Sequence, residues 1–307
     1  MNALPFSKTS VNDQHLALEQ QADLLELTLQ RHEAPARVTG GNVTPRWIQF
    51  MAQPASSTPI ARIVNLSRVI ALALGTPSAR ITTQGSAVRI DIPRSDPRSV
   101  SLFNLLQRLP AGRVPSYTAV LGMAEDGAPL LARLPSPDVQ HLLITGGPHT
   151  GKTALAMTIG LSLAARIKSR ALQLVAIGAD LSPLTQLPHA GAIAAEVCSV
   201  LSLADRRGPL DLNPRVILLI DGLDTLSTNE RQAVDTLLVR GAPAGVHVIG
   251  VTNETPAQAW PVTLTAKASR RPGAFMAQSL HGNIDFEAAY ADASEVAALM
   301  DVIKGDR

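Results

Sequence analysis

The chain has a single cysteine, Cys198, so no internal disulfide can form. That fits a reducing cytosol, and a cytoplasmic location is the expectation. Cys198 sits in the apolar run VCSVLSLA and reads as a core residue. Aromatic residues make up only 3% of the 307, so Leu, Val, Ile and Ala must fill any core. No apolar run approaches the roughly 18–20 residues that a membrane-spanning helix needs. The start, MNALPFSKTSVNDQ, lacks the basic-then-apolar pattern of a secretory signal. Acids are scarce between Arg37 and Arg108, where nine Arg face only Asp91 and Asp96. Such a basic stretch suits phosphate backbones or acidic partners, or a solvated face whose Arg stems cover apolar surface.

What is present divides the chain in two. Leu18, Ala22, Leu25 and Leu29 recur at helical spacing and predict an amphipathic helix ending before Pro35. ARVTG, RWIQFMA, ARITTQ and AVRIDIP read as short strands, the last two forming a hairpin through TQGS. Between them, IARIVNLSRVIALALG reads as one helix stopped by Gly75. This is a small α+β domain, expected over 1–112 and closing in the Pro- and Gly-rich stretch 109–116. Over 113–307 strands and helices alternate. HLLIT, LQLVAIG, RVILLID and GVHVIGVT are strand-like; TALAMTIGLSLAARIK, 192–204 and ERQAVDTLLVRG are helical. That alternation predicts an α/β fold, a parallel sheet with crossover helices.

One motif carries chemistry. HLLITGGPHTGKTALAM holds Gly146, Gly147, Pro148, His149, Thr150, Gly151, Lys152 and Thr153 between a strand and a helix. Gly146 and Gly151 let the backbone turn so that successive N–H groups face an anion. The helix start adds its dipole and free N–H groups. Lys152 neutralises the β- and γ-phosphates, and Thr153 offers its hydroxyl to Mg²⁺. ATP and Mg²⁺ are the expected cofactors. His149 reaches either the γ-phosphate or solvent. Asp221, closing RVILLID, is placed to hold Mg²⁺ directly or through water. Its neighbour is Gly222 rather than a second acid; Asp224 either substitutes in a tight turn or leaves hydrolysis slow. Asn253, at the end of GVHVIGVTN, is a γ-phosphate sensor or a strand cap.

With these residues in place, the chain resembles the FtsK/SpoIIIE family of hexameric DNA translocases over about 14–305. LEQQADLLELTLQRHEAPARVTGGNVTPRWIQFMAQPA, IARIVNLSRVIALALGTPSARI and VRIDIPRSDPRSVSL are similar to successive parts of that family's α domain. AVLGMAEDGAPLLARLPSPDVQHLLITGGPHTGKT resembles the entry to its motor, LVAIGADLSPLTQLPHA the next strand, and AGVHVIGVTNET the sensor strand. TAKASRRPGAFMA stands for a longer segment of the family, and FEAAYADASEVAALMDVIKG resembles its closing helix.

The resemblance implies a RecA-like P-loop NTPase core with Walker A and Walker B sites, in a short member without the family's membrane anchor or winged-helix domain. It implies double-stranded DNA as partner and a ring, a homo-hexamer or a hetero-ring with an active homologue. The family's Asp-Glu pair falls at Asp221 and Gly222. Its sensor Gln falls at Asn253 and the Arg after it at Glu254. Its trans-acting Arg falls at Ala242, with Arg240 two residues away. Three readings stay open: a DNA motor with DNA-stimulated ATP hydrolysis, a degenerate nucleotide-binding assembly or regulatory subunit, and a protein-secretion motor of the same superfamily.

Overall fold

Leu25 and Leu29, both fully buried, are one helical turn apart on a helix over Val11–Arg31 (α1). The structure, a computed structural model, describes residues 11–110, 112–190, 196–207, 212–254, 258–267 and 272–305. Glu33 takes the left-handed conformation (φ 55°) after α1, and Pro35 prevents its continuation. The chain forms two compact units, Met1–Ser99 and Val100–Arg307.

In the first unit, β1 (Ala36–Val43) and β2 (Trp47–Pro54) form a hairpin. Helices α2 (Ile60–Val64) and α3 (Ser67–Ala73) follow, then the hairpin of β3 (Arg80–Gln84) and β4 (Ala87–Pro93). The antiparallel order is β1-β2-β4-β3. Phe50, Ala52, Val88, Ile90 and Ile92 pack against Leu25, Leu29, Ile63 and Ile70, which is the expected α+β arrangement. The one helix expected over 60–75 is two. At Leu66 the amide bonds to the Ile63 carbonyl, three residues back, and the ladder restarts at Ser67. Asn65 favours such a break, because its side chain competes for backbone hydrogen bonds.

The second unit begins earlier than the composition shift at 109–116 suggested. β5 (Val100–Ser101) pairs with a strand of the larger sheet, and Leu102 and Leu105 of α4 (Leu102–Arg108) lie in its core. There follow β6 (Thr118–Ala124), β7 (Pro129–Arg133), β8 (Leu142–Thr145), α5 (Lys152–Ala164), β9 (Leu172–Ile177) and α6 (Ser182–Thr185). Next come α7 (Val197–Arg206), β10 (Arg215–Asp221), α8 (Thr228–Arg240), β11 (Val246–Thr252) and β12 (Val262–Ala266). The unit closes with β13 (Ala274–Ser279), β14 (Gly282–Tyr290) and α9 (Ala293–Gly305).

Five adjacent strands, β12-β8-β11-β10-β9, are parallel. The antiparallel strands β13, β14, β6 and β7 extend that core into a mixed sheet. The unbroken apolar run of β10 follows from cover on both faces. Ile217 and Leu219 point to the core that includes α5; Val216, Leu218 and Ile220 point to the core shared with α7 and α8. Burying each such side chain contributes roughly 1.5–3 kcal/mol.

The expected helix over 192–204 starts at Val197; residues 191–195 lie outside the described set. Cys198 is exposed, not core as its run suggested. The inward stripe of α7 is Val197, Val200 and Ala204, and Cys198 sits about 100° round the helix from it. Among the described residues, no helix is long and apolar enough to cross a membrane.

At the start of β8 and β11 two buried imidazoles, His141 and His247, lie 6.2 Å apart. The His141 Nδ1 accepts from the Val248 amide at 3.0 Å. The His247 Nδ1–H donates to the Gln140 carbonyl at 2.8 Å, and its Nε2 accepts from Arg215 at 3.2 Å. Both rings are thus bonded as neutral groups. Burial, foremost, holds each pKa down at about 4, aided by the other imidazole at His141 and by Arg215 at His247.

Candidate nucleotide site

The site lies where the parallel strands end. β8 stops at Thr145, and the chain turns through 146–151 into α5. Gly146 (φ 138°) and Gly151 (φ 93°) are left-handed or beyond, and His149 joins them at φ 58°. The Gly146 turn also needs a missing side chain: a Cβ there would lie 2.6 Å from the Ala266 Cβ on β12. On its other side the loop is braced by the residue before β13, where the Gly273 amide bonds the Thr150 carbonyl at 3.1 Å. Alternating backbone twist of this kind turns amides inward into an anion-binding concavity. Pro148 adds shape without an N–H, and His149 is exposed.

Two bonds fold the loop on itself. Thr150 Oγ1 and Lys152 Nζ both donate to the Gly147 carbonyl, at 2.8 and 2.6 Å. An ammonium has three donors, so two remain for phosphate oxygens. Lys152 is 8% exposed. Burial, foremost, lowers its pKa, and the negative charges of Asp221 and Asp224 oppose the shift. The loop lysine therefore lies within the field of both carboxylates. Thr153 is the second residue of α5.

Asp221 ends β10, packed beside the end of β9: a Cβ at Gly178 would come 2.8 Å from the Asp221 Cβ. Gly222 (φ 99°) then turns the chain into a short 3-10 turn, Leu223–Thr225, closed by Thr225 Oγ1 on the Gly222 carbonyl at 2.7 Å. Asp224 on that turn accepts from Asn253 Nδ2 through one oxygen, at 3.4 Å. Its other oxygen, Oδ1, is buried without a hydrogen-bond partner among the described residues. Asn253 follows β11, the strand between β8 and β10. The next residue, Glu254, ties this tip to β8 by accepting from Thr145 Oγ1 at 3.1 Å.

The expected loop, acids and Asn253 thus share one end of the sheet. Arg240 does not join them: it closes α8, a helix that begins just after the Asp224 turn, and lies 3.8 Å from Asp205. Thirteen helical residues span about 20 Å. Ala242 lies in the turn beyond. The segment 268–271 of TAKASRRPGAFMA lies outside the described residues.

Sequence reasoning missed Ala266, Gly178, Gly273 and Arg231, which donates to the Asp224 and Leu226 carbonyls. Gly178 carried a signal, a glycine directly after a buried strand; the others carried none. Leu223, Asp224, Arg231, Asp235, Glu254 and Trp260 are among the residues lining a cleft of about 500 Å³ on the α8 side.

Comparison with known proteins agrees with this architecture. The FtsK alpha domain matches residues 2–94, and the FtsK/SpoIIIE family matches 110–206. The DNA translocase FtsK of Bacillus cereus is 29% identical over 198 residues, covering 62% of this chain and 25% of that protein. That of Staphylococcus epidermidis is 29% identical over 181 residues, covering 56% and 22%. The chain spans about a quarter of the length of these relatives.

Among solved structures, the pCW3 conjugation coupling protein TcpA superposes with a TM-score of 0.52 at 11% identity, over 94% of this chain and all of that one. The cytoplasmic domain of the Thermomonospora curvata type VII secretion ATPase EccC gives 0.51 at 17%, over 64% and 28%. At these identities the likeness is one of fold, a P-loop ATPase core. The family match ends at 206, ahead of Asp221, Asp224 and Asn253.

Proposed function

Because the chain belongs to the FtsK/SpoIIIE family, we propose that it is a translocase-like ATPase that binds ATP with Mg²⁺ and acts on double-stranded DNA as a ring of copies. One observation carries this reading: a folded phosphate cradle whose buried lysine has one hydrogen bond among the described residues and feels two carboxylates, one at the end of β10 and one on the turn after it. The residues fit the cofactor. The buried Asp224 Oδ1 lacks a protein partner, and a metal-held or attacking water would satisfy it. The amides of Gly147 and of 149–153 would hold the β- and γ-phosphates, and Lys152 Nζ would neutralise their charge. Thr153 and Asp221 hold Mg²⁺, which when bound neutralises charge on the phosphate oxygens. Asp224 accepts the proton of the attacking water, and Asn253 orients that carboxylate.

The partner is duplex DNA, contacted through phosphates and so salt-dependent and indifferent to sequence. Part of the basic excess of 37–108 is neutralised in place: Asp96 binds Arg94 and Arg98, and Asp91 binds Arg89. Arg37, Arg68 and Arg108 are exposed and supply the remaining field. An Arg from the neighbouring copy would complete each site; Arg240, at the far end of α8, is the candidate.

A second reading has its own observation. Gly222, where the family carries an acid, sits at φ 99°. A nucleotide-binding subunit that hydrolyses slowly and partners an active homologue accounts for it.

Three measurements decide. Lys152→Ala should abolish ATP binding in a nucleotide titration; unchanged affinity refutes the site. Duplex DNA at low salt should raise ATP turnover of the oligomeric protein; a flat response moves the reading to the slow subunit. An affinity for duplex DNA weaker than about 10⁻⁴ M at physiological salt, the weak end of non-specific binding, points to a protein substrate instead.

A further inference from the structure

The carboxylate of Asp224 owes its position to its backbone. Its only protein hydrogen bond among those described is the long one from Asn253, 3.4 Å, and its Oδ1 has no partner. The turn that carries it is held from outside by one side chain. Arg231, in the first turn and a half of α8, donates Nη2 to the Asp224 carbonyl at 2.5 Å and Nε to the Leu226 carbonyl at 3.0 Å. A planar fork can reach two carbonyls at once in a fixed geometry; a lysine ammonium on its flexible stem holds neither angle. The fork itself is anchored. The capping box of α8, Ser227 with Glu230, fixes the helix start immediately before Arg231.

We infer that Arg231 is a positioning residue for ATP hydrolysis: it locks the 222–226 turn so that the Asp224 carboxylate stays beside Asn253, at the end of the sheet that carries the phosphate loop. The inference rests on the reading of Asp224 as proton acceptor, but the lock has a consequence visible without nucleotide. Leu223, the first residue of the turn, lies over Gly250 of β11 beside Trp260. A Cβ at Gly250 would come 2.4 Å from Leu223 Cδ1 and 3.0 Å from the Trp260 ring. Trp260 is half-buried and lines the same cleft as Leu223, Asp224 and Arg231. Releasing the turn lifts Leu223 from this contact and wets the indole.

The chain has two tryptophans, Trp47 and Trp260, so Trp47→Phe isolates the reporter. In that background Arg231→Ala, Arg231→Lys, Asp224→Asn and the Arg231→Ala/Asp224→Asn pair are compared. Arg231→Ala should shift Trp260 emission to longer wavelength without nucleotide, leave the ATP dissociation constant within about twofold, and slow single-turnover hydrolysis about 100-fold, the scale of a misplaced general base. Arg231→Lys should restore little of either. The double variant should hydrolyse no more slowly than Asp224→Asn alone, because one function is lost twice.

An unmoved Trp260 emission in Arg231→Ala overturns the inference. So do additive losses in the double variant, or ATP affinity and thermal midpoint falling together. Full-rate hydrolysis by Asp224→Asn instead sinks the reading of Asp224, while the emission arm still decides whether Arg231 holds the turn.

Discussion

At the scale of single residues, the acid missing at Gly222 cannot simply be put back. Gly222 is at φ 99°, and a Cβ there would meet Thr225 Oγ1 at 3.1 Å. Gly222→Glu should therefore lower unfolding free energy by about 1–3 kcal/mol, the cost of an L side chain held in a left-handed conformation. It should not raise ATP turnover; urea unfolding beside a steady-state assay checks both. The phosphate loop was legible in the sequence because its residue types are dictated by local backbone geometry. Lys152 and Gly151 must be consecutive for the amide cradle and the ammonium to meet. Asp221 was legible as the last residue of an apolar run. Arg231 and Ala266 were not, because what they do depends on which distant segment they meet. Cys198 misled because an apolar run says nothing about phase on a helix.

At the scale of elements, continuous apolar runs proved the most legible. β10 and β11 are covered on both faces, so their sequences alternate with nothing. The cost of disturbing them follows: Leu218→Ala, at a fully buried position, should destabilise by about 2–5 kcal/mol in urea unfolding. The cap of α8 should be worth less. Ser227→Ala removes the side chain that accepts from the Glu230 amide and should cost about 1 kcal/mol, measured the same way. Least legible was the break within 60–75, where hydrophobic periodicity continues across Asn65 and Leu66 while the backbone ladder does not. The place of 100–108 was equally obscure. Its pairing partner β14 is distant in sequence, and composition responds only to the Pro-rich stretch that follows.

For the molecule as a whole, acid is the expected weakness. In the unfolded chain His141 and His247 titrate near the ordinary imidazole value of 6.5, and in the folded chain burial holds them down at about 4. A depressed folded value means that their contribution is fully present above pH 6.5 and drains away as pH falls toward 4. At pH 5 the loss is on the order of 2 kcal/mol for each ring. Urea midpoints at pH 7.5 and pH 5 should differ accordingly, and His247→Gln should remove about half of the difference; a midpoint indifferent to pH contradicts the buried neutral pair. A last consequence follows from the placement of β11 between β8 and β10. Neighbouring strands lie about 4.8 Å apart, so the cradle strand and the acid strand are held about 10 Å from one another. The sheet works as a spacer gauge: the gap between the loop and the acids is set by the backbone of β11 and not by any side chain, so substitutions in the loop or the turn leave that width unchanged.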